Sequence, residues 1–214
     1  MKLSKIAYDI FKEKIFEGKI KLGSKIKQAE LVKIVGVPTV PLREALQKLE
    51  LEGYITINPR SGIYIFTPDI KMFSNAFQLR KIIELEALNK YFEKDFYEEI
   101  ISLEKEHIDL LKSITKKTDI KKLKINYLKL EKKFHISLIN NLKNDYIVKV
   151  YNSTQEMISI SRFSMSYKLS PNIIKISIKE HMIIINSIKK NDNINAEKNL
   201  ILHLNNSLHR SLGI

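Results

Sequence analysis

The stretch VPLREALQKLELEGYITINPRSGIYI, residues Val40 to Ile65, decides the fold of the N-terminal part of the chain. Its first half has apolar residues at i, i+3, i+4 and i+7, the spacing of a helix with one buried stripe: Leu42, Ala45, Leu46 and Leu49. Gly53 ends this helix, and two short runs, 54–57 and 63–66, have the composition of β-strands. The residues between them, Asn-Pro-Arg-Ser-Gly, form a turn. The stretch therefore predicts a helix followed by a β-hairpin.

Two further helices precede this stretch. An apolar stripe predicts a helix over 3–15, and a second, shorter helix is predicted over 29–35 after an extended link at 20–26. Thr39 is the expected N-cap of the helix in the opening stretch. The order helix, helix, turn, helix and hairpin is that of a winged helix-turn-helix domain, which occupies residues 1–67.

The rest of the chain, residues 72–214, has helical periodicity and no strand pattern. Six amphipathic helices are predicted, at 72–92, 95–114, 119–140, 145–166, 172–190 and 193–211. Short connections between long helices are typical of an antiparallel bundle. The predicted fold class is mainly α, with a winged helix-turn-helix followed by an all-α bundle.

Composition limits the classes of partner and compartment. The formal charge is +13, from 37 Lys and Arg against 24 Asp and Glu, which favours nucleic acid or an anionic membrane over an acidic partner. The absence of cysteine excludes disulfides and thiolate metal sites. No apolar run approaches the roughly 20 residues that span a bilayer, and the N-terminus lacks the apolar centre of a signal peptide. We therefore expect a cytoplasmic protein without a membrane partner.

The polar face of the helix in the opening stretch is suited to reading duplex DNA. It carries Arg43, Gln47 and Lys48, and the hairpin turn carries Arg60. The second helix of such a motif enters the major groove with its N-terminus first, where an arginine can form two hydrogen bonds with guanine. Arg60 could reach the adjacent groove from the hairpin turn. We therefore expect double-stranded operator DNA as a partner.

The same residues resemble the winged helix of the GntR family of bacterial transcription regulators. That family's pattern V-S-R-T-P-V-R-E-A-L corresponds to VPTVPLREAL here, with Thr39 where the family has its first arginine. The resemblance implies that Arg43 is the retained arginine of the recognition helix and that Arg60 and Gly62 form the tip of the wing. The predicted DNA-binding residues are Thr39, Arg43, Gln47, Lys48, Arg60 and Gly62.

Four residues of the bundle have the types and spacing of metal ligands. Glu131 and His135 are four residues apart and so lie on one helix face. His203 follows His181 by 22 residues, with the predicted turn midway between them, so antiparallel helices bring the two to similar height. A third helix could add Glu131 and His135. Three imidazoles and one carboxylate suit Zn²⁺, Ni²⁺ or Mn²⁺, with positions left for water or a ligand.

This spacing also resembles the FCD ligand-binding domain of the FadR-like branch of GntR regulators. Arg80-x-x-x-Glu84 matches a pattern near the start of that domain, and Glu131 stands where the family has aspartate. The resemblance covers nearly the whole chain. It implies a regulator whose DNA binding responds to a small molecule bound in the bundle.

Other charged residues of the bundle fall into two groups. Arg80 and Arg162 are candidates for binding a carboxylate effector, because a guanidinium can form two parallel hydrogen bonds with a carboxylate. His107 and His209 are predicted to be structural or surface residues.

Three classes of function fit the sequence. The first is a dimeric, effector-responsive DNA-binding regulator without a catalytic residue. The alternative is a metal-dependent hydrolase attached to a DNA-binding domain, although the sequence contains no H-E-x-x-H or G-x-S-x-G motif and only six glycines. A scaffold without an effector would leave the three histidines unexplained.

A homodimer is expected because one winged helix contacts about one half-site of an operator. Apolar residues of the first bundle helix could supply part of the interface: Phe73, Phe77, Ile82 and Ile83.

Overall fold

The computed structural model describes residues 2–92, 97–115, 117–164 and 169–214. Its elements in chain order are α1 (Leu3–Phe16), β1 (Lys25–Ile26), α2 (Gln28–Val35), α3 (Thr39–Leu51), β2 (Ile55–Asn58), β3 (Gly62–Ile65), α4 (Ile70–Phe92), α5 (Tyr97–Ser113), α6 (Ile120–Asn140), α7 (Asp145–Ser164), α8 (Pro171–Lys189) and α9 (Asn193–Leu212). The mainly α fold class, with a winged helix-turn-helix before a helical bundle, is confirmed.

The chain divides into two compact units. Unit 1 comprises Met1–Phe73 and Gln155–Tyr167, and unit 2 comprises Ser74–Thr154 and Lys168–Ile214. Unit 1 has a continuous apolar core under α1, α3 and the small sheet. The core includes the predicted stripe of α3 and also Ile160 from the second half of α7. The division falls within α7, and also within α4 between Phe73 and Ser74, so that two helices contribute to both units.

The sheet of unit 1 has three strands, whereas the sequence predicted a two-stranded hairpin. The strand order is β1-β3-β2, and both pairings are antiparallel. The strand β1 comprises only Lys25 and Ile26, with Ile26 buried and Lys25 exposed. Two residues are too short to show the alternation by which strands are recognised, so the segment was interpreted as an extended link.

The helix α3 begins one residue earlier than predicted. Its N-cap is Pro38, which forms no side-chain capping hydrogen bond, and Thr39 is the first residue of the helix. Pro38 has the extended conformation of an N-cap, and its carbonyl accepts a hydrogen bond from the N–H of Leu42 at 3.2 Å. The prediction that Thr39 is the N-cap was therefore wrong.

Gly62 is required where the wing meets β1. Its φ is +120°, and a Cβ built on it would lie 3.2 Å from the backbone oxygen of Ile26. We expect Gly62→Ala to lower the free energy of unfolding by about 1–3 kcal/mol, from backbone strain and displacement of β1. Gly36→Ala is the control, because Gly36 has φ +74° but no atom within 4 Å of a Cβ, and it should cost only about 1 kcal/mol. Equal losses in urea denaturation would contradict the steric role of Gly62.

Unit 2 is a helical bundle with a second apolar core. Its helices start at polar caps: Asp119 accepts hydrogen bonds at the start of α6, Ser170 at α8 and Asp192 at α9. The short turn between α8 and α9 contains Asn191 in a left-handed conformation, with φ 54°. These two helices therefore run antiparallel and adjacent, which places His181 and His203 at similar height.

The predicted dimer contacts are corrected by the packing of α4. Phe73, Phe77 and Ile83 are 0%, 4% and 9% exposed, and only Ile82 is exposed, at 62%. Phe73, Phe77 and Ile83 are already buried within a single chain, so three of the four residues cannot supply an interface. Within the part of the chain that the structure describes, no helix has both the length and the apolar character needed to cross a membrane.

Candidate functional site

The structure brings together the four residues predicted to bind a metal. Glu131 and His135 project from adjacent turns of α6, His181 from α8 and His203 from α9, and one ligand atom of each lies within 4.8 Å of the others. The Nε2 atom of His203 is 3.2 Å from Nε2 of His181 and 3.3 Å from Nε2 of His135. Carboxylate oxygens of Glu131 are 3.7 Å and 3.8 Å from Nε2 of His135 and His181.

Each of the three imidazoles has its Nδ1 occupied by a hydrogen-bond partner. Nδ1–H of His135 donates to Oε2 of Glu84 at 2.7 Å, and Nδ1–H of His203 donates to Oε2 of Glu180 at 2.8 Å. A carboxylate only accepts, so both rings carry their proton on Nδ1. In the neutral ring, Nε2 then carries a lone pair.

The partner of His181 is a fourth histidine. Nδ1 of His107 is 2.7 Å from the carbonyl oxygen of Leu103, which can only accept, so that ring nitrogen carries the proton. In neutral His107, Nε2 is therefore an acceptor, and it lies 3.0 Å from Nδ1 of His181. His181 consequently donates from Nδ1 and also presents a lone pair at Nε2. When the rings of His135, His181 and His203 are all neutral, their Nε2 lone pairs thus point toward one another.

The pKa shifts of His181 and His203 agree with this assignment, whereas that of His135 favours the protonated ring, in which Nε2 also carries a proton. Burial, reinforced by the adjacent ring of His203, holds the pKa of His181 well below its ordinary value, and burial also lowers the pKa of His203 and His107. Burial opposes the charged form of His135 too, but the carboxylate of Glu84 raises the pKa of that ring overall. Burial would raise the pKa of Glu131, yet the rings of His135 and His181 hold it well below the ordinary range. The site thus contains an ionised carboxylate.

The carboxylates that hold the histidines are themselves fixed. Glu84 accepts from Nε of Arg80 and from the hydroxyl of Tyr151, both at 2.8 Å. Burial alone would raise its pKa, but Arg80 and His135 hold the pKa of Glu84 at about 2. On the other side, both terminal nitrogens of Arg210 donate to Glu180, at 2.9 Å and 2.8 Å. Two arginines thus stabilise the two carboxylates that orient the histidine rings.

His107, Glu180 and Arg210 were not assigned to the site from the sequence. His107 is fully buried, which agrees with the structural role predicted for it and excludes the surface position that was the other possibility. A signal for it exists on α5, where His107 follows Leu103 by four residues and so lies on the same buried face. Its contact with α8 joins residues 74 apart in the chain, and helical periodicity does not identify such a partner.

The two arginines predicted to bind an effector have different surroundings. Arg80 is 1% exposed and holds the internal carboxylate of Glu84, and its guanidinium also interacts electrostatically with Glu131. Arg162 is half-buried near the end of α7 and belongs to unit 1. Their role in binding an effector stays a prediction.

The predicted DNA-reading residues lie mostly on exposed positions of unit 1. Thr39, Arg43 and Gln47 are exposed on α3, and Arg60 is exposed in the turn between β2 and β3. Lys48 is exposed as well, but its Nζ lies 4.0 Å from the ring centre of Tyr8 on α1. The side chain of Lys48 is therefore partly held against α1, and contact of each of these residues with DNA stays a prediction.

Comparison with known proteins places both parts of the chain in families. The family described as bacterial regulatory proteins, gntR family, matches residues 3–65, and the FCD domain matches residues 75–206. The chain is 27% identical over 155 residues to the uncharacterized HTH-type transcriptional regulator YdhC of Bacillus subtilis (strain 168), covering 72% of this chain and 67% of that protein. It is 27% identical over 141 residues to the Nta operon transcriptional regulator of Aminobacter aminovorans, covering 66% and 64%.

Solved structures agree with the fold. E. coli McbR/YncC matches with a TM-score of 0.74 at 14% identity, over 100% of this chain and 98% of that one. The metal-free FCD domain of TM0439 matches with a TM-score of 0.58 at 22% identity, over 69% of this chain and 96% of that one. Together with the two family matches, these similarities confirm the resemblance found in the sequence. The chain belongs to the GntR family of bacterial transcriptional regulators and carries an FCD domain over residues 75–206.

Proposed function

We propose that this regulator binds operator DNA as a homodimer, and that a divalent metal ion and a small carboxylate effector in the FCD domain control that binding. Operator binding is assigned to residues 1–67 and effector, metal and dimer functions to residues 72–214. Bacterial operators lie in the cytoplasm, which is the expected compartment.

The convergence of three Nε2 lone pairs is the observation that carries the metal proposal. Lone pairs that face one another at 3.2 Å and 3.3 Å repel, unless a proton or a metal ion lies between them, and a metal ion can be shared by all three rings. Two imidazole nitrogens bound to one ion at about 2.0–2.1 Å, with angles between octahedral and tetrahedral, are roughly 2.8–3.4 Å apart. The two N–N separations fall in this range, and the separations of 3.7 Å and 3.8 Å from Glu131 to His135 and His181 lie slightly above it. The donor set therefore fits a divalent ion held by Glu131, His135, His181 and His203.

A bound ion would supply positive charge and open coordination positions for an anionic ligand. The ionised Glu131 and the neutral imidazoles leave the four-residue set with one negative charge, so a divalent ion makes the site net positive. Arg80 adds a buried cation that interacts with Glu131. A small carboxylate is the effector class that this charge favours, with Arg80 of the same unit as the guanidinium that binds it; the predicted effector role of Arg162, which belongs to unit 1, is a separate proposal.

The DNA-binding part of the proposal is supported by the exposed surface of α3 and the wing. Arg43 lies in the N-terminal half of α3, the part of a recognition helix that reaches base edges. Arg60 lies in the turn that follows Asn58, whose side chain accepts a hydrogen bond from the N–H of Arg60 at 3.1 Å. Two such units, one from each protomer, would read two half-sites and give the affinity typical of specific binding.

Operator binding should depend strongly on Arg43. With an operator selected from random duplex DNA, we expect Arg43→Ala to weaken binding by about 1–3 kcal/mol and to relax the preference at one base pair. Arg60→Ala should weaken binding by a similar factor for all DNA sequences. It should also reduce the slope of log affinity against log salt concentration by about one. The measurement is a gel-shift titration at several salt concentrations.

Lys198→Ala is the control, because Lys198 is an exposed cation on α9 in unit 2 and should not change the affinity. Wild-type protein should also change its operator affinity when a chelator removes the metal. Unchanged operator affinity in both arginine variants would overturn the DNA-binding assignment. If the operator affinity of the wild type is the same with and without chelator, metal control is overturned.

A further inference from the structure

The helix α7 takes part in both units. It is continuous over Asp145–Ser164, and its residues up to Thr154 belong to unit 2 whereas those from Gln155 belong to unit 1. Met157 and Ile160 pack into the core of unit 1. Tyr151 lies in the first half and is 1% exposed. Like α4, which crosses the division between Phe73 and Ser74, α7 is thus anchored by buried side chains in each unit.

In unit 2, α7 shares a carboxylate with a candidate metal ligand. The hydroxyl of Tyr151 donates to Oε1 of Glu84 at 2.8 Å, and Nδ1–H of His135 donates to Oε2 of the same side chain at 2.7 Å. Glu84 is fully buried, so neither bond is weakened by water. The position of His135 and the position of α7 are therefore linked through one rigidly held group.

In unit 1, an ion pair joins α7 to α1, the helix that packs against the recognition helix α3. Nζ of Lys12 on α1 donates to Oε2 of Glu156 at 2.8 Å, and Lys12 is itself 5% exposed. The same ammonium lies 3.6 Å from Oε2 of Glu52, the residue that caps the C-terminus of α3. A displacement of Glu156 would therefore change the position of a buried cation beside the end of α3.

We propose that α7 carries the regulatory signal, through Tyr151 at one end and the Glu156–Lys12 ion pair at the other. This inference rests on the proposed metal control of DNA binding. Tyr151 and Glu156 are five residues apart, which is a rise of about 7.5 Å on one helix. Because that segment is a regular helix, a shift or rotation that follows His135 and Glu84 moves Glu156 with it. If α7 has two arrangements, each one would favour one state of the metal site and one position of the recognition helix.

The test compares metal-dependent operator binding in full-length variants. Operator affinity is measured with saturating metal ion and with chelator, and the ratio of the two affinities is the response. Saturation is set separately for each variant from a chelator-competition titration. In wild type the ratio should differ from one by about 5- to 150-fold. Tyr151→Phe, which removes only one hydroxyl, should reduce that response by about 2- to 30-fold.

Two further variants make the test specific. Tyr146→Phe makes the same chemical change on α7 at a side chain that is 85% exposed, and it should keep the wild-type response. Glu156→Gln should lose the response while its metal affinity stays within about twofold of wild type, because Glu156 lies in unit 1, outside the metal site.

Distinct outcomes separate this inference from the proposed function. A wild-type response that persists unchanged in both Tyr151→Phe and Glu156→Gln would overturn the relay and leave metal control intact. An equal loss in Tyr146→Phe would also overturn it, because the effect would then belong to α7 generally. Wild type that binds no metal, or binds it without a change in operator affinity, would overturn both the proposed function and the relay.

Discussion

Replacing Glu84 by alanine is expected to lower the free energy of unfolding by about 3–5 kcal/mol, even in the presence of chelator. The guanidinium of Arg80, which is 1% exposed, would lose the carboxylate that neutralises it. The hydroxyl of Tyr151 and Nδ1–H of His135 would lose their acceptor in the same substitution. Breaking a buried pair by removing one partner is costly because the other charge stays buried.

Glu84→Ala should also weaken metal binding by about 10- to 100-fold, since His135 would lose the partner that orients its ring. Urea unfolding with chelator present measures the first effect separately, and competition with a chromophoric chelator measures the second. Glu86→Ala is the matched control, an exposed glutamate on the same helix that should change stability by less than about 0.5 kcal/mol. If Glu84→Ala is as stable as Glu86→Ala, the buried network does not have the role assigned to it.

Metal loading is expected to raise the melting temperature of the wild type by about 5–10 °C when the free ion is at 100 times its dissociation constant. Such an excess stabilises the folded state by about 2.7 kcal/mol, and each kcal/mol corresponds to about 2–4 °C for a domain of this size. His181→Ala should abolish this rise, because it removes one of three imidazoles from the set. The measurement is a pair of melting curves, with ion and with chelator, for each variant.

The difference between the two curves is the readout, so any effect of His181→Ala on basal stability cancels. His209→Ala is the control, because His209 is exposed on α9 and lies outside the cluster. It should retain the full rise. A rise of equal size in His181→Ala would place the stabilising ion elsewhere in the protein.

Helix positions could be predicted closely because their signals are local. The pattern that predicted a helix over 172–190 corresponds to Pro171–Lys189, and the prediction over 119–140 corresponds to Ile120–Asn140. Periodicity selects the buried face, and residues such as Ser170 and Asp119 supply the cap. The strand β1 could not be predicted because an alternating apolar and polar pattern cannot be recognised over two residues.

The convergence of the four candidate ligands could be predicted because it also depended on local spacing. Glu131 and His135 share a face by their separation of four, and His181 and His203 are placed by the turn between α8 and α9. The partners of the ring Nδ1 atoms could not be found in this way. Glu84 and His135 are 51 residues apart, and their contact depends on the packing of separate helices.

Arg80 and the residues of α4 show why burial is difficult to assign from sequence. An arginine four residues before a glutamate fits an internal ion pair as well as an effector site, and the structure contains the ion pair. The apolar residues Phe73 and Phe77 fit a dimer interface as well as an internal core, and the structure buries both within one protomer. The residues of a helix show which face is apolar. They do not show whether that face packs inside the same chain or against another protomer.

The most direct test of the metal centre is the stoichiometry of bound ion. Full-length protein is stripped with chelator, dialysed separately against Zn²⁺, Ni²⁺ and Mn²⁺, and subjected to elemental analysis together with His181→Ala and His209→Ala. The convergence of three Nε2 lone pairs beside an ionised Glu131 predicts one ion per chain in wild type and His209→Ala, and none in His181→Ala. Absence of bound ion in wild type, or equal binding in His181→Ala, would contradict it.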